Sequence, residues 1–381
     1  MNPIVLLFKR SLKRRFDQLL DDPNSYYDRC CAERAAFPFP EMDMVMVVFP
    51  LLAYAALAAR RGAVANADSA RMESLVQAAI AIAGRHVKPV DGNLERLADY
   101  QRQGVYLGLL NLALSVFLNV TSCRRFESLH AHLCALLHTA LVDTQGQPLW
   151  SYPDISWPFD SVACVLSLAL RDKANQSQIH QPVVRAHLAW MAGIGSDSEL
   201  GLPWSWTPME GGSRGQVLPR GGALALTIPW LWQIDAVQCQ RWYRRFVKNF
   251  WQQLGPLGGF REWPKGYDKQ GDIDSGPIVL GFGTAAMGFG LAATLRAGDW
   301  WRSLVLSVEF LLVIISIQAV VFWQLRVRGL NTTTVGGIRL SAGNLTGFLF
   351  GDACLFMAVT LPDLGYAAAE NHIELGSPIS S

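Results

Sequence analysis

The feature that most constrains this chain is its apolar period. Over nearly all of its 381 residues, large apolar side chains recur at helical spacing, which lines one face of an α-helix. The pattern predicts helices over 4–20, 41–61, 67–86, 94–118, 121–142, 160–172, 180–192, 220–233, 235–254, 275–297, 300–326 and 352–361. Short turns at 63–66, 88–93 and 255–259 separate several of them. Strand-like alternation is weak; 328–340, with Thr332 to Thr334 and Gly336-Gly337, suits one small β-hairpin. Helices of this number and length suit an all-α fold, an (α/α)6 toroid in which six inner helices are wrapped by six outer ones. An irregular helical bundle fits the same pattern. The division read from this is an amphipathic helix over 1–25, one toroid over 26–365 and a tail over 366–381.

Composition narrows the class. Apolar residues make up 51% and charged residues only 17%, which excludes disorder and a coiled coil. Lys+Arg 33 against Asp+Glu 31 leaves +2, without the basic excess that nucleic acid demands. Seven cysteines are scattered without a CxxC, and they read as reduced thiols. The expected location is the cytoplasm or the cytoplasmic face of the inner membrane.

Two segments bear on membranes. Residues 1–20 place Leu6, Phe8, Leu12, Phe16 and Leu19 near helical spacing and add Lys9, Arg10, Lys13, Arg14 and Arg15. Such a helix rests either on its own protein or on anionic lipid. Ser303 to Leu325 is 23 residues long with one charge, Glu309, and tryptophans at both ends. Its length favours a membrane helix, while the internal acid favours a buried core helix.

Three long loops, 145–160, 193–220 and 255–274, are rich in Gly, Pro and Trp and each precedes a predicted helix. They are expected to gather at one mouth, where long loops carry function. Ten of the thirteen tryptophans lie between Trp150 and Trp263, as the wall of a pocket or the thickest part of the core.

Four constellations could carry chemistry. In Tyr152 to Ser161, Asp160 stands just before a helix, beside Trp157 and Phe159. It reads either as a general acid or base in an apolar wall or as an N-cap. Cys164, one turn on, reads as a nucleophile or a small buried hydrophobe. The loop 259–277 carries Glu262, Asp268, Asp272 and Asp274, which suit proton transfer, cation binding or capping. The helix after it holds Gly281, Gly283, Gly288 and Gly290, a surface for close approach. Arg220 at a helix start opposes the macrodipole and so calls for a carboxylate partner or an anionic ligand. Trp206 and Glu210 precede it as pocket candidates. His130, Cys134 and His138 share a helix face, but the acid ligand and HExxH of a zinc helix are missing, so structural roles are expected. No P-loop occurs.

The stretches WPFDSVACVLSLAL, PRGGALAL and DIDSGPIVLGFGTAAMGFGLAA resemble bacterial α/α-toroid proteins grouped with linalool dehydratase/isomerase. The resemblance spans roughly 40–300 plus Gly351 to Phe356. It implies a toroid, sometimes membrane-associated, with acid/base chemistry in a central pocket.

The leading expectation is therefore a lyase or isomerase acting on a small, largely apolar alcohol in a Trp-lined pocket. Asp160 and Asp274 would move protons, tuned by Asp272 and Arg220, with Cys164 a minor candidate. Trp157, Arg220, Trp206, Glu262 and Tyr152 would contact substrate. The scheme requires no cofactor and no metal. One alternative is a carbohydrate-active, glycosidase-like toroid, because paired carboxylates with Trp platforms also describe a glycosidase. Another is a non-catalytic, membrane-associated binding protein. A small-molecule substrate is expected, membrane association and a homo-oligomer stay open, and nucleic acid is excluded.

Overall fold

A computed structural model describes residues 2–36, 40–153, 155–205, 218–267, 269–271, 275–328, 332–335, 338–341 and 343–361. The inner helices are α3 (Met42–Arg61), α5 (Gly104–Val120), α7 (Pro158–Asn175), α9 (Gly221–Leu231), α11 (Thr284–Arg296) and α13 (Leu349–Thr360). Each packs on the next, and α13 packs back on α3, so the six close into a ring. The outer layer holds α4 (Asn66–Val87), α6 (Glu127–Asp143), α8 (Gln181–Ala192), α10 (Ala236–Phe250) and α12 (Trp300–Arg328), with α1 (Pro3–Leu19) and α2 (Pro23–Ala36) closing it against α12, α13 and α3. The chain is thus an (α/α)6 toroid.

Sequence explains which helix goes where. Inner helices are covered on all sides and are apolar all round: every residue of α5 from Gly104 to Leu118 is buried. Outer helices bury one stripe, as α10 does with Cys239, Trp242, Tyr243, Phe246 and Phe250. In α1 the buried stripe is Val5, Phe8, Leu12 and Phe16, so this amphipathic helix packs on its own protein. Phe16 stacks on Phe356 of α13 at 5.2 Å.

The inner helices run the same way. Gly108 of α5 lies against Cys164 of α7, and Asn111, further along, donates to Ser167 at 2.7 Å. Their starts therefore share one mouth, where Tyr106 meets Pro40, Trp157 meets Arg220, and Gly222 meets Ala285. The described parts of the three long loops precede α7, α9 and the β3–β4 hairpin that leads into α11.

Several boundaries differ from expectation. The region 94–103 makes one 3₁₀ turn (Leu94–Arg96) followed by bends rather than an α-helix, and α5 begins at Gly104. The predicted end of the 235–254 helix is a strand, β1 (Trp251–Leu254), paired antiparallel with β2 (Leu257–Phe260) through the left-handed Gly255. Residues 278–283 form a short hairpin of β3 (Ile278–Val279) and β4 (Phe282–Gly283), so α11 starts at Thr284 and not at 275. The expected hairpin is β5 (Thr332–Val335) with β6 (Ile338–Ser341).

The predicted apolar helix at 303–325 is α12, and it is neither a core helix nor free of the domain. Leu306, Ser307, Ile314 and Val321 are buried, while Leu312, Ile315 and Phe322 are more than half exposed.

Candidate active site at the mouth of the ring

Six helix N-termini converging on one mouth bring their positive dipole ends together, which favours acidic side chains there. Acids occupy these places. Glu41 precedes α3 and Asp43 lies in its first turn; Asp160 and Asp352 lie in the first turns of α7 and α13. Glu33 accepts from the Leu349 and Phe350 N–H groups in the first turn of α13 at 3.0–3.4 Å. The 149–161 loop is held by its own serines. Ser156 Oγ donates to Leu149 O at 3.0 Å, and the Leu149 and Trp157 N–H groups donate to Ser161 and Ser151 hydroxyls at 2.9 Å. This fixes Tyr152 over the ring. Its phenol donates a short hydrogen bond to Glu41 Oε2, and its ring meets Tyr106 edge-on at 6.1 Å. Burial, followed by the charges of Glu41 and Asp160, pushes the Tyr152 phenol far above its ordinary pKa, so it stays a donor. Tyr106 is raised for the same first cause, burial, and then by Glu41. His86 stacks on Tyr106 at 4.1 Å and lies 3.7 Å from Asp43.

Asp160 was expected either in a pocket or as an N-cap. Trp157 holds the cap position, and Asp160 sits three residues later, buried to 8% exposure. Its charge bears on Tyr152, Tyr106 and Cys164. Cys164 is fully buried, with its Sγ 3.5 Å from Gly104 O. Burial and then Asp160 push its pKa up to about 12, so at neutral pH it is a thiol packed against α5.

Arg220 finds its carboxylate in Glu262. The Nε–Oε1 distance is 2.7 Å, with both side chains almost wholly buried. Glu262 also accepts from Gly222 N at 3.2 Å through its side chain and from Gly221 N at 2.8 Å through its backbone. The anion thus caps α9 and offsets the cation that the sequence puts there. Two indoles, Trp157 at 5.9 Å and Trp263 at 5.4 Å, flank the guanidinium. A Cβ on Gly283 would meet Glu262 Oε2 at 2.7 Å, which explains a glycine there. Gly290 does the same for Phe260, while Gly281 (φ +84°) makes the β3–β4 turn.

The structure therefore gathers Tyr152, Trp157, Asp160, Arg220 and Glu262 at one mouth. Asp272, Asp274, Asp268, Glu210 and Trp206 lie outside the described residues. Sequence reasoning missed Glu41, Asp43, Tyr106 and Trp263. Pattern alone gives no signal for the first three, which lie far from the acidic loops in sequence. Trp263 follows Glu262 directly and was open to notice.

The histidine face has structural partners. Arg171 donates to His130 Nδ1 at 2.9 Å, so Nε2–H donates to Ser115 Oγ at 2.7 Å. Cys134 meets Asn111, and His138 meets His180. Among the described residues no three His, Cys, Asp or Glu side chains converge on a metal position. Two surface clefts lie elsewhere, one beside Arg85 and Leu129 and one beside Pro3 and Trp300; neither holds a carboxylate pair, and the mouth is the better site on its chemistry.

No protein-family model and no curated protein matches this sequence. Solved structures do. The α-1,6-mannanase GH76A of Salegentibacter sp. HEL1_6 superposes with a TM-score of 0.53 at 10% identity, covering 91% of this chain and 98% of that one. An inactive variant of it with α-1,6-mannotetrose gives 0.52 at 11% identity over 92% and 99%. Another with α-1,6-mannotriose gives 0.51 at 11% identity over 92% and 99%. At such identities the likeness shows the fold. It also corrects two expectations. These three solved structures are of an α-1,6-mannanase and not of a linalool dehydratase/isomerase, so that resemblance and the lyase or isomerase reading fall. The site agrees physically, since carboxylates, phenols and a buried arginine make a polar mouth rather than an apolar alcohol pocket.

Proposed function

We propose that this protein is a carbohydrate-active toroid of glycosidase type, binding an oligosaccharide across the mouth where the inner helices begin. The observation that carries the reading is the Glu41–Tyr152–Asp160 group, two acids at the starts of α3 and α7, on either side of α5, with a phenol that bonds one and feels the charge of the other, beside the faces of Tyr106 and Trp157. Sugar rings stack their C–H faces on aromatic rings, and acids act on the glycosidic bond between them. The phenol of Tyr152 donates to Glu41, which keeps Glu41 an acceptor and suits it to the base role. Asp160 then serves as acid. It gives its proton to the glycosidic oxygen as the C1–O bond breaks, and water adds at C1 while passing its proton to Glu41. The neighbouring mannanase was solved with α-1,6-linked mannose oligomers, so these are the first substrates to try.

A second reading, oligosaccharide binding without hydrolysis, rests on a different observation. The neighbour's inactive variant replaces two consecutive aspartates. The only consecutive aspartates here, Asp21 and Asp22, lie exposed at the end of α1, away from the mouth.

The test is incubation with α-1,6-mannotetraose and a panel of other α-linked oligosaccharides, with products followed by mass spectrometry. Shorter oligomers are expected from the native chain, reduced about 10²–10⁴-fold in Asp160→Asn and Glu41→Gln. Binding without product supports the second reading; neither binding nor product contradicts both.

A further inference from the structure

Outer helices of a toroid bury one stripe and turn a polar face to water. α12 breaks this rule. Its mid-helix acid and amide point inward: Glu309 Oε1 accepts from Gly258 N of β2 at 2.6 Å, Gln318 donates to the Asn344 and Leu345 carbonyls at 2.6 and 2.9 Å, and Ser307 is fully buried. Its outward half carries Val308, Leu312, Ile315, Phe322 and Trp323, between 39% and 58% exposed. No charged side chain lies between Arg302 and Arg326 except the inward Glu309. From Trp301 to Trp323 this uncharged half-cylinder is about 33 Å long at 1.5 Å per residue. Leu254 and Leu257, at the tip of the β1–β2 hairpin that Glu309 holds against the helix, are exposed as well.

We propose that this face of α12 docks flat on a lipid bilayer, with the toroid outside the hydrocarbon. The inward bonds of Glu309 and Gln318, about a third of the helix length apart, tie it to the domain, so it has one free side rather than the full circumference a spanning helix offers to lipid. α1 runs beside it, with Asn2 donating to Ser307 Oγ at 3.1 Å, and exposes Arg10 and Arg14. Submerging α12 as a span would carry these arginines to mid-bilayer depth, which is costly. Flat docking instead leaves them near the headgroups, where anionic lipid complements them. Trp300, Trp301 and Trp323 fit the same interface, since indoles favour the headgroup level. This charge complementarity and the terminal tryptophans favour a bilayer over a second copy of the chain.

The test is flotation of the full chain with vesicles of phosphatidylcholine alone and of phosphatidylcholine mixed with phosphatidylglycerol. The native chain is expected to float with both, and more completely with the anionic mixture. The triple variant Leu312→Lys, Ile315→Lys, Trp323→Lys should lose roughly tenfold or more of this binding, with an unchanged circular dichroism spectrum because all three side chains are half exposed. Alkaline carbonate should release the vesicle-bound native chain. Retention after carbonate would mean a spanning helix and overturn flat docking. Failure to float, with a dimer in light scattering that the triple variant splits, would assign the face to a second copy. Equal flotation of native and variant chains would move the lipid contact elsewhere.

Discussion

Glu262 shows how one side chain decides local structure. A cation at the start of α9 is unfavourable, and burying it without a partner would be more so. Glu262 supplies the counter-charge and accepts from two amides of the same helix turn. Removing it leaves Arg220 buried without its carboxylate, so Glu262→Ala is expected to lose about 3–5 kcal/mol in urea unfolding. Gly283→Ala presses a methyl on the same carboxylate and should lose about 1–3 kcal/mol. The need for an anion at Arg220 was legible from its position alone, and Glu262 was among the acidic-loop candidates. Its identity as the partner was not legible, because Arg220 and Glu262 are joined only by the ring. Asp160 was legible as an acid at the start of α7. Its place three residues inside the helix was not, because Trp157, a weak capping residue, takes the cap.

At the scale of elements, helical period located most of the inner and outer helices but not their ends. α2 escaped notice because it offers the core little beyond Tyr26 and Cys30, too short a stripe to register. The helical pattern over 275–297 starts before α11 does because an apolar run reads alike in a β-turn and a helix; Gly276 and Gly281, both at positive φ, mark the difference. Packing of α5 on α7 depends on Gly108, whose added Cβ would lie 2.6 Å from Cys164 Sγ and 3.3 Å from its backbone N. Gly108→Ala is therefore expected to lower the thermal midpoint, by about 1–3 kcal/mol in stability. The seam between α6 and α8 adds a pH dependence. Burial holds His130 at about 3 and His187 at about 4, below the ordinary 6.5. As pH falls below 6.5 the unfolded chain takes up these protons first, so stability present above 6.5 is lost toward pH 4, at up to about 1.4 kcal/mol per pH unit for each group. Asp352, pushed by burial up to about 6, acts oppositely below pH 6 and offsets one of the two. Urea midpoints at pH 7.5 and pH 5 should show a net drop, and His187→Phe should make it smaller.

For the whole molecule, the ring was legible because inner helices are apolar all round and outer ones on one stripe. The site was only half legible. Closing the ring brings Glu41 to Tyr152 across 111 positions of sequence, and no local pattern announces that. The same closure aligns six helix starts, which concentrates carboxylates where the long loops enter. A polar, aromatic mouth of this kind is what an oligosaccharide needs and what an apolar alcohol does not.

The measurement that tests this account most directly is calorimetric titration of α-1,6-mannotetraose into the Asp160→Asn chain, where turnover is suppressed, and into the same chain with Trp157→Ala added. Saturable binding, weakened about tenfold or more by loss of the indole face, is the predicted result. Absence of binding to the tetraose and to every other oligosaccharide tried, in a chain whose circular dichroism shows it folded, would contradict a carbohydrate site at this mouth.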